Sequence, residues 1–434
     1  MHLDPVLALY AVPLIAIWTV YLGIRKRNEH RSLSKQAEAA EAGLTEPASL
    51  HPKIDPVKCL GCGACARACP EGDILGLIHG KAVLVEPTSC IGHGACKAAC
   101  PTGAITLVFG TETRGVELPV VGPDFQTNVP GLFVAGELGG MGLIRNAIEQ
   151  GRQAIESIRR LDGLGRPGVL DVVIVGGGPA GFSASLAALS HKLDFLTLEQ
   201  ESFGGTVAHY PRGKLVMTAP AMLPLVGRMR FTEVSKERLL AFWRQAAAKT
   251  GLEIRYGERV EAIERSTSGF VVRTNRNSYP CRSVLLAIGR RGTPRKLDVP
   301  GEEQPKVVYR LIDPEQYRGA HVLVVGGGDS ALEAAASIAE QPNTTVTLSY
   351  RGEAFGRAKA KNRARVEAAV RRGALTLMLK SKVKAIGRKD VLMECEGRQV
   401  TLRNDIVIVC AGGILPTAFL KSVGIEVETK YGTA

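Results

Sequence analysis

The chain has 434 residues, enough for two or three domains with their own hydrophobic cores, and it combines 49 glycines with only 5% aromatic residues. This composition predicts a compact α/β protein with many tight turns. The formal net charge of +13 favours acidic or phosphorylated partners, but no basic stripe with interleaved aromatics is present, so nucleic acid is set aside as a partner.

A charge-free apolar run occupies residues 5–24 and is followed at once by Arg25, Lys26 and Arg27. The run is about as long as a bilayer-spanning helix requires. Basic residues behind the run place the N-terminus outside and the rest of the chain in the cytoplasm. We therefore expect residues 1–28 to be a single-pass anchor in the cytoplasmic (inner) membrane. Residues 29–51, rich in Ala and Glu, are expected to be a tether.

Seven of the ten cysteines lie within residues 59–100, which points to metal ligation under reducing conditions rather than to disulfides. The first run has the spacing C-x2-C-x2-C-x3-C-P and comprises Cys59, Cys62, Cys65 and Cys69. The second run has His93 in the second position and otherwise comprises Cys90, Cys96 and Cys100. Because tetrahedral zinc uses four ligands, usually in separated pairs, two runs of four favour iron–sulfur clusters.

The paired runs resemble a bacterial two-cluster ferredoxin over about residues 52–108. The resemblance implies two 4Fe–4S clusters and assigns to the first Cys59, Cys62, Cys65 and Cys100. It assigns to the second Cys69, Cys90, His93 and Cys96. Two alternatives remain open for His93. It either ligates iron, which would raise the cluster's potential, or it is a bystander at the empty corner of a 3Fe–4S cluster.

From Leu170 the sequence predicts a strand, a glycine turn, a helix and a second strand. The turn has G-x-G-x-x-G spacing, formed by Gly176, Gly178 and Gly181. In order, these glycines permit the turn, the approach of a pyrophosphate and close helix–strand packing. Glu199 ends the second strand, where a carboxylate can hydrogen-bond ribose hydroxyls.

From Ala320 the same unit recurs, with Gly326, Gly328 and Ala331 in the turn. Its second strand ends in Tyr350 and Arg351 rather than in an acid, and further cations follow at Arg357, Lys359 and Lys361. Cations at this corner suit the 2′-phosphate of NADP, which an acid would repel. A solvated basic loop is the alternative.

Two Rossmann units, one ending in an acid and one in an arginine, resemble the thioredoxin reductase family over about residues 115–434. The resemblance implies FAD in the first unit and NADPH in the second. Its FAD contacts are Gly176, Gly178, Pro179, Ala180, Gly181, Glu199, Gly204, Gly205, Thr206, Gly136 and Glu137. Its NADPH contacts are Gly326, Gly328, Asp329, Ser330, Ala331, Tyr350, Arg351 and Arg357. Residues 301–321 lack the redox C-x-x-C of the disulfide reductases, so thioredoxin reductase activity is not expected.

The stretch TNVPGLFVAGELGG, residues 127–140, resembles the run that closes chains of this family beside the flavin. Here it precedes both glycine turns, and the chain ends where such a run would be needed. The sequence is therefore interpreted as circularly permuted, with residues 115–160 supplying the missing strand, turn and helix. Glu137 stands where the family usually has Asp.

The expected fold class is α/β: two Rossmann-like dinucleotide-binding domains, a small α+β bacterial ferredoxin domain and one N-terminal transmembrane helix. Expected domains are the anchor (1–28), the tether (29–51), the ferredoxin domain (52–110), a first part of the FAD domain (111–298), the NADPH domain (299–400) and a return segment of the FAD domain (401–434).

The expected function is NADPH-dependent electron transfer through FAD and two iron–sulfur clusters to a membrane acceptor, either a redox protein or a quinone or cytochrome. No acid/base or nucleophilic constellation is found, so no catalytic side chain is assigned. Reverse flow towards NADP, a disulfide reductase acting through external thiols, and a redox sensor without turnover are the alternatives. The family resemblance further implies a homodimer.

Overall fold

The computed structural model describes residues 5–41, 43–47, 50–140, 142–217, 220–290, 292–356 and 358–433. The chain divides into two compact units. The first unit comprises Met1–Arg114, Ala354–Ala360 and Tyr431–Ala434, and the second comprises Gly115–Glu353 and Lys361–Lys430.

The first unit is built around two short antiparallel strand pairs. Its elements are α1 (Pro5–Glu41), β1 (His51–Ile54), α2 (Ala64–Ala68), β2 (Leu75–Ile78), β3 (Lys81–Leu84), α3 (Ala95–Ala98) and β4 (Ile105–Val108). β1 pairs with β4, and β2 pairs with β3. Both cysteine runs form a loop that turns into a short helix through a left-handed glycine, Gly63 before α2 and Gly94 before α3. The repeated spacing in the sequence thus becomes a repeated loop–helix unit.

Helix α1 is longer than the sequence indicated. It is continuous to Glu41, so residues 29–41, predicted as a tether, are helical, in keeping with the high helix propensity of Ala and Glu. Side chains of the apolar run are exposed, as at Ile17 (71%), whereas Ser32 and Ala39 are buried. By length and composition α1 could cross a membrane. The part of α1 beyond the apolar run packs against the rest of the first unit.

The second unit begins with the segment that precedes the first glycine turn and continues through the first dinucleotide-binding unit. Its elements to residue 286 are β5 (Val116–Pro119), β6 (Leu132–Val134), α4 (Ile144–Ile158), β7 (Leu170–Val175), α5 (Pro179–Ser190), β8 (Phe195–Glu199), β9 (Leu215–Met217), β10 (Ala221–Leu223), β11 (Gly227–Met229), β12 (Glu233–Ser235), α6 (Lys236–Thr250), β13 (Arg255–Tyr256), β14 (Val260–Ser266), β15 (Gly269–Thr274) and β16 (Ser278–Leu286).

The remaining elements form the second dinucleotide-binding unit and the return of the chain. They are β17 (Thr293–Pro294), β18 (Val307–Val308), β19 (His321–Val325), α7 (Asp329–Ala339), β20 (Thr345–Ser349), α8 (Ala360–Arg371), β21 (Leu375–Met378), β22 (Ser381–Ile386), β23 (Asp390–Cys395), β24 (Arg398–Arg403), β25 (Ile406–Val409), β26 (Gly413–Ile414), α9 (Thr417–Ser422) and β27 (Val427–Lys430).

Each dinucleotide-binding unit is built on one main sheet. The larger has the order β13-β8-β7-β16-β15-β14, with β6 paired to β16, and the smaller has the order β18-β25-β19-β20-β21. The pairings of β7 with β8 and of β19 with β20 are parallel, and most of β7 is buried because helices cover parallel sheets on both faces. The predicted α/β class with two doubly wound units is confirmed.

The strand that precedes the first glycine turn belongs to the larger sheet. β6 runs parallel to β16, with Leu132 opposite Val284 and Val134 opposite Leu286. Helix α4 buries one face, which comprises Ala147, Ile148, Gly151, Ala154, Ile155 and Ile158. Nearby, the C-terminal strand β27 pairs antiparallel with β5. The predicted placement of a core strand and a helix from this segment is confirmed.

Candidate active site and metal centres

The first glycine turn joins β7 to α5 with the close contacts that its spacing predicts. Gly176 has a φ of +110°, a left-handed conformation that favours glycine. A Cβ at Gly181 would lie 1.8 Å from the carbonyl oxygen of Gly176, so the third glycine is needed for helix–strand packing. Gly178 caps α5, and Pro179 is the first helical residue. Since no side chain caps this N-terminus, its N–H groups suit an anionic ligand.

Glu199 lies against this turn. One carboxylate oxygen accepts a 2.7 Å hydrogen bond from the backbone N–H of Gly177, and the other accepts a 2.8 Å bond from the N–H of Glu201. The side chain is 7% exposed, so its position is fixed at the end of β8. A carboxylate held there is placed to meet ribose hydroxyls.

The glycine loop at residues 204–206 also packs on the turn. The Gly204 N–H donates a 3.1 Å hydrogen bond to the carbonyl of Gly177. A Cβ at Gly205 would lie 2.9 Å from the Cα of Gly178. Thr206 follows in the same loop and is half-buried.

The segment from residues 136–151 completes this edge of the sheet. A Cβ at Gly136 would lie 3.0 Å from the Cβ of Ala180, and its N–H donates a 2.8 Å hydrogen bond to the side chain of Gln150. Helix α4 approaches α5 so closely that a Cβ at Gly151 would lie 2.1 Å from the carbonyl of Ala180. The glycines, Pro179, Ala180 and Glu199 assigned to FAD from the sequence therefore lie around the start of α5, and Glu137 and Thr206 are next in sequence to Gly136 and Gly205.

Glu137 has a charged neighbour that the sequence reading missed. Burial lowers the pKa of the Arg290 guanidinium, while the carboxylates of Glu137 and Glu117 act to raise it. Arg290 also donates a 2.9 Å hydrogen bond to the carbonyl of Glu117. The arginine follows strand β16 in AIGRRG, far from Glu137 in sequence, and only the fold brings the two together.

These residues fit FAD by their chemistry. A helix N-terminus without a side-chain cap and a close-packed glycine turn suit the pyrophosphate, and a buried carboxylate at the next strand end suits the ribose. Glu137 and Arg290 add a carboxylate and a guanidinium cation that interact with each other.

The second glycine turn joins β19 to α7 in the same way. Gly326 has a φ of +147°, and a Cβ there would lie 2.4 Å from the carbonyl of Cys410. Gly328 caps α7 without a side-chain cap, and Ala331 is fully buried beside the turn. This turn also leaves backbone N–H groups at a helix N-terminus for a pyrophosphate, although Asp329 in the first turn of α7 adds a negative charge that the first turn of α5 lacks.

Tyr350 occupies the strand-end position that Glu199 holds in the first dinucleotide-binding unit. A Cβ at Gly327 would lie 2.3 Å from its ring, so the ring lies directly over the turn. An aromatic ring thus stands at this strand end in place of a carboxylate, and the exposed Arg351 follows it. The pair fits a 2′-phosphorylated ribose better than a free one.

The remaining NADPH candidates differ in their surroundings. Asp329, the first residue of α7, accepts a 2.7 Å hydrogen bond from the side chain of Asn362, a contact the sequence did not signal. Ser330 is exposed in the first turn of the helix. Arg357 lies outside the described residues.

The cysteines assigned to the first cluster differ in burial. Cys59 and Cys65 are buried, Cys62 is exposed, and Cys100 is half-buried. Burial raises the pKa of Cys65, and the nearby thiols of Cys59, Cys62 and Cys96 raise it further. The backbone N–H of Ala104 lies 3.3 Å from the Cys100 sulfur and donates to it.

The residues assigned to the second cluster line one cavity. Its walls include Cys69, Cys90, His93 and Cys96 together with Glu71. Burial raises the pKa of Cys90 to about 11, and Cys96, Cys69 and Glu71 also raise it. Since a cysteine ligates a metal as its thiolate, cluster assembly at these cysteines would release protons.

His93 faces an acid in this cavity. Its Nε2 atom lies 3.6 Å from a carboxylate oxygen of Glu71, and both side chains are about three-quarters shielded from solvent. Glu71 directly follows the C-P of the first run, a position that carries no recognised signal in the sequence. Within the described ranges, no three His, Cys, Asp or Glu side chains converge on a single-ion site. Cluster ligands, each of which binds a different iron, need no such convergence.

Comparisons with known proteins match both units. A family model described as pyridine nucleotide-disulphide oxidoreductase matches residues 173–433, and one described as a 4Fe-4S dicluster domain matches residues 51–101.

Curated relatives and a solved structure cover the flavoprotein part of the chain. A ferredoxin–NADP reductase of Ignicoccus hospitalis is 31% identical over 60% of this chain and 83% of its own length. The bacilliredoxin reductase Bdr of Bacillus subtilis is 26% identical over 60% of this chain and 82% of its own length. The structure of a bacillithiol disulfide reductase from Staphylococcus aureus has a TM-score of 0.52 at 26% identity, and the match covers 59% of this chain and 80% of that one.

Proposed function

Because the chain belongs to the pyridine nucleotide-disulphide oxidoreductase family, we propose that it passes electrons from NADPH through FAD and two iron–sulfur clusters to an acceptor at the membrane. The family and the 4Fe-4S dicluster domain make it an FAD-dependent NAD(P)H oxidoreductase with iron–sulfur clusters. The acceptor, the cluster number and the membrane anchor are the parts that are proposed.

One observation carries the proposal. The segment that holds β6 and α4, which we assign to the flavin edge, follows the dicluster domain in the same chain, with β5 between β4 and β6. Covalent attachment gives the cluster domain a high effective concentration around the flavoprotein. Bound FAD supplies the conversion between hydride transfer and single-electron transfer, which clusters require.

The side chains position the cofactors and do not react themselves. Glu199 holds the ribose of FAD, and the glycine turns receive the two pyrophosphates. Tyr350 and Arg351 select NADPH over NADH by stacking and by charge. As an iron ligand, His93 would raise the potential of the second cluster by replacing a thiolate with a neutral group, which would favour flow outward to a quinone or a cytochrome.

A second candidate function is reverse flow, from reduced clusters to NADP. It is favoured by the relative from Ignicoccus hospitalis, whose name states a ferredoxin–NADP reductase. Disulfide reduction has less support, because residues 301–321 hold no C-x-x-C, although two relatives are named as bacilliredoxin or bacillithiol disulfide reductases.

Steady-state turnover separates these functions. Intact protein reconstituted in vesicles is given NADPH and either a membrane quinone or a thioredoxin-like disulfide substrate. The proposal predicts NADPH oxidation with the quinone and little with the disulfide. Turnover with the disulfide alone would contradict it. Reduction of NADP by chemically reduced protein, without NADPH oxidation in the other direction, would establish reverse flow.

A further inference from the structure

The apolar run of α1 ends where the helix begins to contact the ferredoxin-like module, which comprises residues 52–110 of the first unit. The run ends at Ile24, and a Cβ at Gly80 would lie 3.2 Å from a guanidinium nitrogen of Arg25. One turn later, a carboxylate oxygen of Glu29 accepts a 2.6 Å hydrogen bond from the backbone N–H of His79. The β2–β3 turn therefore lies beside the first polar turns of the helix.

Residues later in α1 contact residues that precede the β2–β3 turn in the chain. A Cβ at Gly76 would lie 2.4 Å from the hydroxyl of Ser32. Arg31 and Lys35 pair with Asp73 at 2.5 and 3.3 Å. Strand β2 thus runs back along α1 towards the apolar run. Because a helix rises about 1.5 Å per residue, the β2–β3 turn is about 10 Å nearer the apolar run than Asp73 is.

The loop of the first cysteine run packs on this same turn. A Cβ at Gly61 would lie 2.0 Å from the carbonyl oxygen of Gly80. The ammonium of Lys81 donates a 2.7 Å hydrogen bond to the carbonyl of Cys59, and the Ala82 N–H donates to the Cys59 sulfur at 3.4 Å. The loop of the first cluster is therefore fixed at the end of the module nearest the apolar run.

This loop exposes apolar side chains. Val57 is 89% and Leu60 is 74% exposed, and Cys62 is exposed beside them. Isolated exposed apolar residues need no explanation, but these two lie in a loop that packs on the β2–β3 turn, and that turn contacts Arg25 directly after the apolar run. Arg25, Lys26 and Arg27 would meet anionic lipid headgroups at the same level.

We propose that the loop with Val57, Leu60 and Cys62 contacts the bilayer interface, so that the first cluster faces the lipid surface. The inference rests on the proposed membrane anchor. It deepens the proposed function, because a cluster at the lipid surface favours an acceptor dissolved in the bilayer over a soluble protein.

Lipid crosslinking tests this placement. Intact holoprotein is incorporated into nanodiscs that contain a photoactivatable phosphatidylglycerol, and labelled peptides are mapped by mass spectrometry after irradiation. The proposal predicts labels on α1 and on residues 57–62. Labels on α1 alone would overturn the loop placement and leave the anchor standing. Labels on neither would overturn both.

A paired variant adds a control. Val57→Asp combined with Leu60→Asp should lower labelling of the loop several-fold and leave labelling of α1 unchanged, because acidic side chains withdraw from the interface. Leu225→Asp, at a 55% exposed leucine of the other unit, should change neither. Unchanged loop labelling in the double variant would contradict the proposal. If that variant does not retain its clusters, the map of the unaltered protein decides.

Discussion

At the second glycine of each dinucleotide turn, the protein leaves room for a methyl group. A Cβ at Gly178 has its nearest neighbour at 3.9 Å, and one at Gly328 has none within 4 Å. Neither residue has a positive φ. The space beside them is where a pyrophosphate is expected to pass.

Alanine at these two glycines should therefore separate folding from cofactor binding. Gly178→Ala should fold but lose at least tenfold in FAD affinity, about 1.4 kcal/mol, measured as flavin content and by fluorescence titration. Gly328→Ala should keep its flavin and raise the KM for NADPH. By contrast, Gly181→Ala should destabilise the fold itself, because its Cβ would lie 1.8 Å from a carbonyl oxygen. Normal flavin content in Gly178→Ala would contradict the assignment.

Arg351 tests the choice of nicotinamide cofactor. Arg351→Glu should raise the KM for NADPH by roughly tenfold or more, since a carboxylate repels the 2′-phosphate, and should affect the KM for NADH much less. The measurement is steady-state oxidation of each cofactor with a soluble electron acceptor. Arg372→Glu, at another exposed arginine of this unit, is the control. Equal effects on both cofactors would show that Arg351 is only part of a solvated loop.

His93 tests the second cluster. His93→Cys restores the four-cysteine pattern and should lower the reduction potential of that cluster, because a thiolate adds negative charge that a neutral imidazole lacks. An EPR-monitored redox titration measures the change. His93→Ala should instead yield a three-iron signal if the imidazole is a ligand in the native protein. A three-iron signal already present in the unaltered protein would show that His93 is a bystander.

At the scale of elements, the packing of α4 on α5 tests whether the segment of residues 115–160 supports the flavin site. Gly151→Ala places a methyl group 2.1 Å from the carbonyl of Ala180, and such overpacking typically costs about 1–3 kcal/mol. We expect a lower melting temperature and reduced flavin content. Arg145→Ala, at an exposed position of the same helix, should change neither. A normal flavin content in Gly151→Ala would show that α4 does not shape the site.

Periodicity and motif spacing predicted the elements that carry local signals. The two glycine turns, and the strand and helix expected within residues 115–160, follow from short stretches of sequence and correspond to β6 and α4. The end of α1 was not predicted because an Ala/Glu-rich sequence is compatible with both a tether and a helix, and only packing against other residues favours the helix. Here Ser32 and Ala39 are buried, and packing decides for the helix.

At the scale of the whole molecule, contacts between distant residues could not be predicted. The proximity of Arg290 to Glu137 and the pairing of β27 with β5 join segments that only the completed sheet brings together. The circular permutation stays a prediction, whereas the placement of β6 beside β16 and of α4 against α5, both from the segment before the first glycine turn, is seen in the fold. The Glu71–His93 pair needed the folded cysteine loops.

The central claim is that electrons from NADPH reach the clusters through the flavin within one chain. An anaerobic titration of the intact protein with NADPH, followed by flavin absorbance and by EPR, tests it most directly. The account predicts that flavin absorbance bleaches and that signals of reduced clusters rise in the same titration. Reduction of the flavin while both clusters stay oxidised would contradict it.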